Sequence, residues 1–226
     1  MMITKNLAIA MTKPGLLRLL SWFSPTFPIG GYAWSSGLET ACQNGAVTNK
    51  NELRDWIQTS LAQGPFYNDA IFLTAVHKQS KPVEEINGFA LSFAGSKERY
   101  EETTGLGDAF IAASKPWREP NAKKLPSPIS YPSAVGQVSH ENDMPLQETL
   151  LAFLHCGVNN QIQAALRLMR LGQQAGVTLL AELENDIQFT ASLTVDLELE
   201  HIGTGAINME IAAMNHEILP ARIFRS

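Results

Sequence analysis

The sequence predicts an all-α fold, a single-domain helical bundle, on three observations. Apolar residues recur at helical spacing through most of the chain. Only one short stretch, DLELEHI at 196–202, alternates with period two, and without a hairpin partner it is not assigned as a strand. Strand and helix patterns do not alternate and no segment repeats, which sets aside the doubly wound and solenoid classes.

Each element has its own signal. Residues 1–14, MMITKNLAIAMTKP, hold an apolar run only from Leu7 to Met11 and are expected to fray, leaving the domain over 15–226. Leu16, Leu17, Leu19, Leu20 and Phe23 make a short amphipathic helix that Ser24-Pro25 stops. A loop rich in Pro and Gly follows, then a helix from Ser36 to Gln43, ended by Asn44-Gly45. Asn49 with Glu52 three residues on resembles a capping box, and Leu53, Trp56, Ile57 and Leu61 share a face until Gly64-Pro65. Further helical patterns cover 66–79, 84–94 and 96–113, the last apolar late with Leu106, Ala109, Phe110 and Ala113 on one side. Five prolines between Lys115 and Pro132 mark a loop, the expected flexible segment. Asp143 is read as the cap of a helix with Pro145 in its first turn, running to Leu171 and weakened midway by Gly157. A last long helix is expected over 176–195, with Leu180, Leu183, Ile187, Ala191 and Thr194 inward.

Composition limits the function. At 226 residues, folding buries roughly 70% of the unfolded chain's surface, ample for one core. Charged residues are only 17% against 45% hydrophobic, which suits a globular protein with room for an interface. Net charge is −5 and the Lys and Arg residues are scattered, so no basic stripe is available for nucleic acid. No run of 18 apolar residues occurs and no secretory leader is read, so a cytoplasmic location and no membrane span are expected. Cys42 and Cys156 form no CxxC pair and read as small reduced hydrophobes on helices.

Catalytic chemistry is sparse. There is no GxxxxGK[ST] phosphate loop, and GLGDAF and GTGAIN lack the third glycine and preceding strand of a dinucleotide site. His216-Glu217 begins an HExxH pattern, but Pro220 stands where the second His belongs, and the five histidines give no closed ligand set. Each His is read as a surface or partner-facing residue, and no metal site, catalytic residue or cofactor is assigned. Ala33-Trp34-Ser35-Ser36-Gly37 approximates a nucleophile elbow, so a serine hydrolase built on Ser35 or Ser36 is the alternative reading; the strand such an elbow needs is missing.

Two long motifs carry a family resemblance. SPTFPIGGYAWSSGLE, residues 24–39, resembles the signature of the urease accessory protein UreF family through Ser24, Pro25, Phe27, Pro28, Ile29, Gly30, Tyr32, Ser35, Gly37, Leu38 and Glu39. The tail EIAAMNHEILPARIFRS is similar to that family's end through Glu210, Ile211, Met214, His216, Glu217, Arg222, Phe224, Arg225 and Ser226. Weaker matches lie between them, among them Glu102, Gly107, Phe110, Tyr131-Pro132, Gly136 and Arg167-Leu168, and the order holds from about residue 16 to 226. Asn215, Pro220, Ala221 and the run GQQAGV depart from the family pattern.

The resemblance implies an all-helical, non-enzymatic, dimeric chaperone with no cofactor of its own. It implies that the chain joins UreD (UreH in some organisms) and the GTPase UreG to mature apo-urease by GTP-dependent nickel insertion. It further implies a partner-binding role for the tail over 218–226. Arg222 and Arg225 can fork onto carboxylates and Phe224 supplies apolar area, with Ser226, His216 and Glu217 beside them. In the opening loop, Pro25 and Pro28 restrict the backbone while Gly30 and Gly31 permit conformations other residues cannot hold, and Gly37 and Glu39 are read with them as the structural loop. Tyr32 and Trp34 then either complete the core, or Tyr32 faces a dimer or partner surface.

Overall fold

A computed structural model describes residues 13–226; of the segment expected to fray, residues 1–12 lie outside the described residues. Eleven α-helices make up the described residues and no strand occurs among them, so the fold is all-α. No helix of these residues is long and apolar enough to cross a membrane.

The centre is α4 (Pro65–His77), a helix with no polar face: every residue from Ala70 to Val76 is buried. Around it pack α3 (Lys50–Gln63), α5 (Val83–Ser92), α7 (Tyr131–Glu141), α8 (Leu146–Leu168) and α10 (Glu184–Thr194). A helix enclosed on all sides must be mostly apolar, and in α4 the polar Asn68 and Asp69 are paired within the chain, with Gly203 and Arg99. The outer elements are α1 (Lys13–Trp22), α2 (Leu38–Gln43), α6 (Lys97–Ala113), α9 (Gln173–Glu182) and α11 (Ile207–His216).

Local chemistry explains the starts. The Asn49 side chain accepts the Asn51 and Glu52 N–H groups at 3.0 and 3.1 Å, capping α3. The Glu52 carboxylate closes back one residue earlier than a capping box would, onto the N–H and hydroxyl of Thr48. Ser96 caps α6 through the Arg99 N–H. Pro65 and Pro132 occupy first-turn positions of α4 and α7, where a missing N–H costs nothing.

Four expectations are corrected. Residues 131–141 are a helix, begun by the Tyr131-Pro132 pair that the sequence reading placed at the end of the 115–132 loop. Asp143 does not cap α8: it sits at φ 51°, and the helix starts at Leu146 with Pro145 as its N-cap. The long helix expected over 176–195 is two, α9 and α10, meeting at Leu183. The early helix begins at Leu38 rather than Ser36, because Ser36 and Gly37 both take positive φ, 52° and 82°.

The proline-rich segment opens with a turn of 3₁₀ helix, Lys115–Trp117. Its far end is tied to the body: Asn87 donates to the Pro128 carbonyl and accepts the Ser130 N–H, and Asp108 accepts the Ile129 N–H. Ile129 is buried against α6, where Gly107 stands. A Cβ at Gly107 would overlap the Ile129 carbonyl oxygen, so only glycine lets the two backbones meet.

Candidate functional site

The two motifs, 24–39 and 210–226, meet in one clasp. Gly37 makes their contact possible: it sits at φ 82° as the N-cap of α2, and a Cβ there would lie 2.8 Å from the Ala213 nitrogen of α11. With α2 and α11 this close, Glu39 in the first turn of α2 points between α11 and the tail.

Glu39 is 1% exposed and accepts four hydrogen bonds, from the Ile223 N–H at 2.8 Å, the Phe224 N–H at 2.9 Å, His216 Nε2 at 3.2 Å and, more weakly, Gln43 Nε2 at 3.4 Å. Burial pushes its carboxyl upward, but the two backbone N–H groups and the His216 imidazole outweigh that and hold it below the ordinary glutamate value. The other ring nitrogen of His216, Nδ1, lies 2.6 Å from Glu98 on α6. Glu98 also takes the Arg222 guanidinium through its second oxygen. Carboxylate oxygens on both ring nitrogens are satisfied together when both nitrogens carry hydrogen.

The rest of the tail lies along the opening loop. Arg225 N–H donates to the Ala33 carbonyl at 2.8 Å, and Ser35 N–H donates to the Ser226 carbonyl at 2.9 Å. The Ser35 hydroxyl donates to the same carbonyl, and Ser36 N–H donates to the Ser226 hydroxyl at 3.2 Å. Side chains then alternate: Phe224 and Ser226 are buried, whereas Arg222, Ile223 and Arg225 are exposed. The Arg167 guanidinium covers the Phe224 ring at 4.4 Å, and that of Arg225 lies 4.8 Å over Trp34.

The sequence-predicted residues divide accordingly. Glu39, His216, Arg222, Phe224, Arg225 and Ser226 come together. Tyr32 stands at the rim, 39% exposed, with its carbonyl accepting from Arg167. Glu217 is exposed, and its carboxylate caps α6 at the Lys97 N–H. Gly30, at φ 77°, opens the turn that presents Tyr32, while Pro25 lies apart, on an apolar groove beside α1 and α8. His216 corrects the reading of the histidines as surface or partner-facing: it is 0% exposed, enclosed by two carboxylates. Ser35 is equally enclosed, with its hydroxyl committed to the tail and a turn rather than a strand before it, so it is not an accessible nucleophile. Among the described residues no group of three His, Cys, Asp or Glu side chains is arranged to hold a metal.

Sequence reading missed Glu98, the acceptor shared by His216 and Arg222, and, although it matched Arg167 to the family, it did not place Arg167 over Phe224. It also missed a second charged centre next to the clasp. There Arg99 meets Asp69 at 2.6 Å and Glu102 at 3.4 Å. Burial raises the carboxyls of Asp69, Glu102 and Glu210 above their ordinary values, more than the Arg99 charge lowers them. The polar first half of the 96–113 pattern covers Arg99 and Glu102, and the resemblance matched Glu102 and Glu210, but nothing in the sequence joined them to Asp69.

Comparison with known proteins adds the family. The UreF family model matches residues 47–184, a span that includes α3 to α9 but neither half of the clasp. Full-length relatives extend the likeness to both ends. The urease accessory protein UreF of Agrobacterium fabrum strain C58 is 41% identical over 214 residues, covering 93% of this chain and 96% of that one. UreF of Rhizobium etli strain CIAT 652 is 40% identical over the same shares, and UreF of Allorhizobium ampelinum strain S4 is 36% identical over 97% of this chain and 100% of its own. The chain belongs to the UreF family of urease accessory proteins.

Proposed function

We propose that this chain is a scaffold of urease maturation, joining UreD (or UreH) and the GTPase UreG in the assembly that inserts nickel into apo-urease at the expense of GTP. In this reading two copies act together, GTP hydrolysis belongs to UreG, and the chain itself performs no catalysis and holds no cofactor. The clasp is its docking element. Its inward side chains fix the tail, and its outward ones, Arg222, Ile223, Arg225 and Tyr32, form the contact surface.

The observation that supports this is the alternation along the tail. The buried Phe224 and Ser226 and the N–H groups of Ile223, Phe224 and Arg225 are engaged within the chain, which leaves the Arg and aliphatic side chains held at the surface. A pre-ordered Arg-bearing strip binds with less entropic cost than a loose tail, and Arg and aromatic residues dominate interface energetics.

The test uses point substitutions, because removing 218–226 would also strip Phe224 from the core and leave Glu39 without two of its donors. Arg225→Ala and Tyr32→Asp are expected to keep the melting temperature within about 3 °C, since both side chains are largely at the surface. Co-purification with UreD and UreG is expected to fall by about tenfold or more, and urease activation by nickel and GTP with it. Assembly and activation equal to the parent chain would overturn the docking assignment.

A further inference from the structure

Seven buried side-chain polar atoms among the described residues have no hydrogen-bond partner, and three of them belong to residues around one cavity. They are Tyr131 OH and Gln161 Oε1, which have no polar neighbour in the chain, and Glu102 Oε2, whose one polar neighbour is the Arg99 guanidinium at 3.4 Å. The cavity, about 70 Å³, lies between the opening loop and helices α4, α6, α7 and α8. Such clustering is not what scattered packing flaws produce.

None of the three can turn away to find a partner. Gln161 is 5% exposed, and its amide nitrogen is committed to the Ser35 carbonyl at 2.9 Å, which fixes where its oxygen points. Glu102 is 6% exposed, and its other oxygen accepts from the Ser36 hydroxyl at 2.8 Å. The Tyr131 ring packs on Phe110 and Phe153 with centroids 5.8 and 5.3 Å away, which fixes its hydroxyl.

We propose that this cavity is a built internal hydration site, holding a cluster of about two to five ordered waters bound by Tyr131 OH, Gln161 Oε1 and Glu102 Oε2. Water fits the chemistry better than the alternatives. The two carbonyl-type oxygens need donors and the phenol can take either role, and one small molecule that both donates and accepts answers all three. An anion would face the carboxylates of Asp69 and Glu102. A cation would face Arg99, which occupies the same wall. An apolar ligand would leave Tyr131 OH and Gln161 Oε1 unpaired. The cluster lies directly behind the tail seat, because its two anchoring residues, Gln161 and Glu102, are the ones that hold Ser35 and Ser36 under Ser226.

Tyr131→Phe on the full chain tests this by sign. The substitution keeps the ring and its contacts, so folding is not at risk. If water occupies the cavity, the variant removes one of its partners, and the melting temperature is expected to fall by about 2–4 °C. If the cavity is dry, the variant removes an orphaned hydroxyl, and the melting temperature stays level or rises. A crystal structure of the parent at high resolution provides the second readout, with water density expected within hydrogen-bonding distance of Gln161 and Glu102. Water ¹⁷O relaxation dispersion in solution should show the same long-lived waters, fewer in the variant. A level or raised melting temperature, a cavity without density, or density that refines as an ion overturns the proposal.

Discussion

Glu39→Gln is the sharpest perturbation of the clasp, because it keeps size and shape while changing what the side chain can accept. In the parent, Oε1 takes the Ile223 N–H and, at 3.4 Å, Gln43 Nε2, and Oε2 takes both the Phe224 N–H and His216 Nε2. A glutamine has one acceptor oxygen, so it is expected to place it at the Oε2 position, keeping two partners. Its NH₂ then faces the Ile223 N–H, donor against donor. The change loses the Ile223 hydrogen bond to a charged group, worth about 1.5–3 kcal/mol, loses the long contact from the half-buried Gln43 as well, and weakens two more. The expected cost is about 2–4 kcal/mol, which for a chain of this size is a fall of about 5–15 °C in melting temperature. Circular dichroism at 222 nm measures it. Hydrogen exchange at the Ile223 and Phe224 amides shows whether the loss is local opening of the tail or global. A melting temperature within about 1 °C of the parent, with both amides equally protected, would refute the claim that Glu39 holds the tail.

The pH profile gives an independent check on the same residue. The folded-state pKa of Glu39 lies below its ordinary value of 4.5, so its contribution is fully present above that pH and is lost as pH falls through the folded value. Acid should therefore release the tail, and Glu39→Gln should flatten that limb. The carboxyls of Asp69, Glu102 and Glu210 are raised by burial and act oppositely, costing stability as pH climbs from their ordinary values through the raised ones. Gly37→Ala is expected to cost at least about 2 kcal/mol by thermal denaturation, since it combines a positive φ with a clash against Ala213; a neutral result would mean that α11 does not approach α2 this closely. Gly107→Ala should impair folding outright, read as loss of soluble protein, because the clash is with the Ile129 backbone rather than a movable side chain. Burial pushes the thiols of Cys42 and Cys156 up to about 11, so at pH 8 both should react with a disulfide reagent about a hundredfold more slowly than an unperturbed cysteine.

What the sequence disclosed follows from the range of each signal. Asn49 capping α3 is local and was read from a few adjacent residues, whereas Pro65 was read only as the stop of α3 and Ser96 only as the first residue of a helical pattern. Helix α7 was not read at all, because Pro132 through Ser139 are buried on every side and lined with small residues, leaving no polar face to set a period. The division at Leu183 was missed for a related reason, since neither glycine nor proline marks it. Gly157, read as a weak point of α8, has a packing reason invisible in sequence: a Cβ there would lie 2.7 Å from the Phe66 ring. In the clasp, motif resemblance identified the residues at both ends, but nothing local paired Glu39 with Phe224, 185 positions away, or pointed to Glu98 as the acceptor between His216 and Arg222.

The same separation has a kinetic meaning. Bonds that span 184 to 191 positions close a loop whose entropic cost is about 4–5 kcal/mol if nothing between is ordered, so they become favourable only once the intervening helices have assembled. The clasp is then a late event on the folding route. Changes to it should leave the rate of folding nearly untouched and speed unfolding instead, making Glu39 and His216 governors of how long the finished chain stays shut.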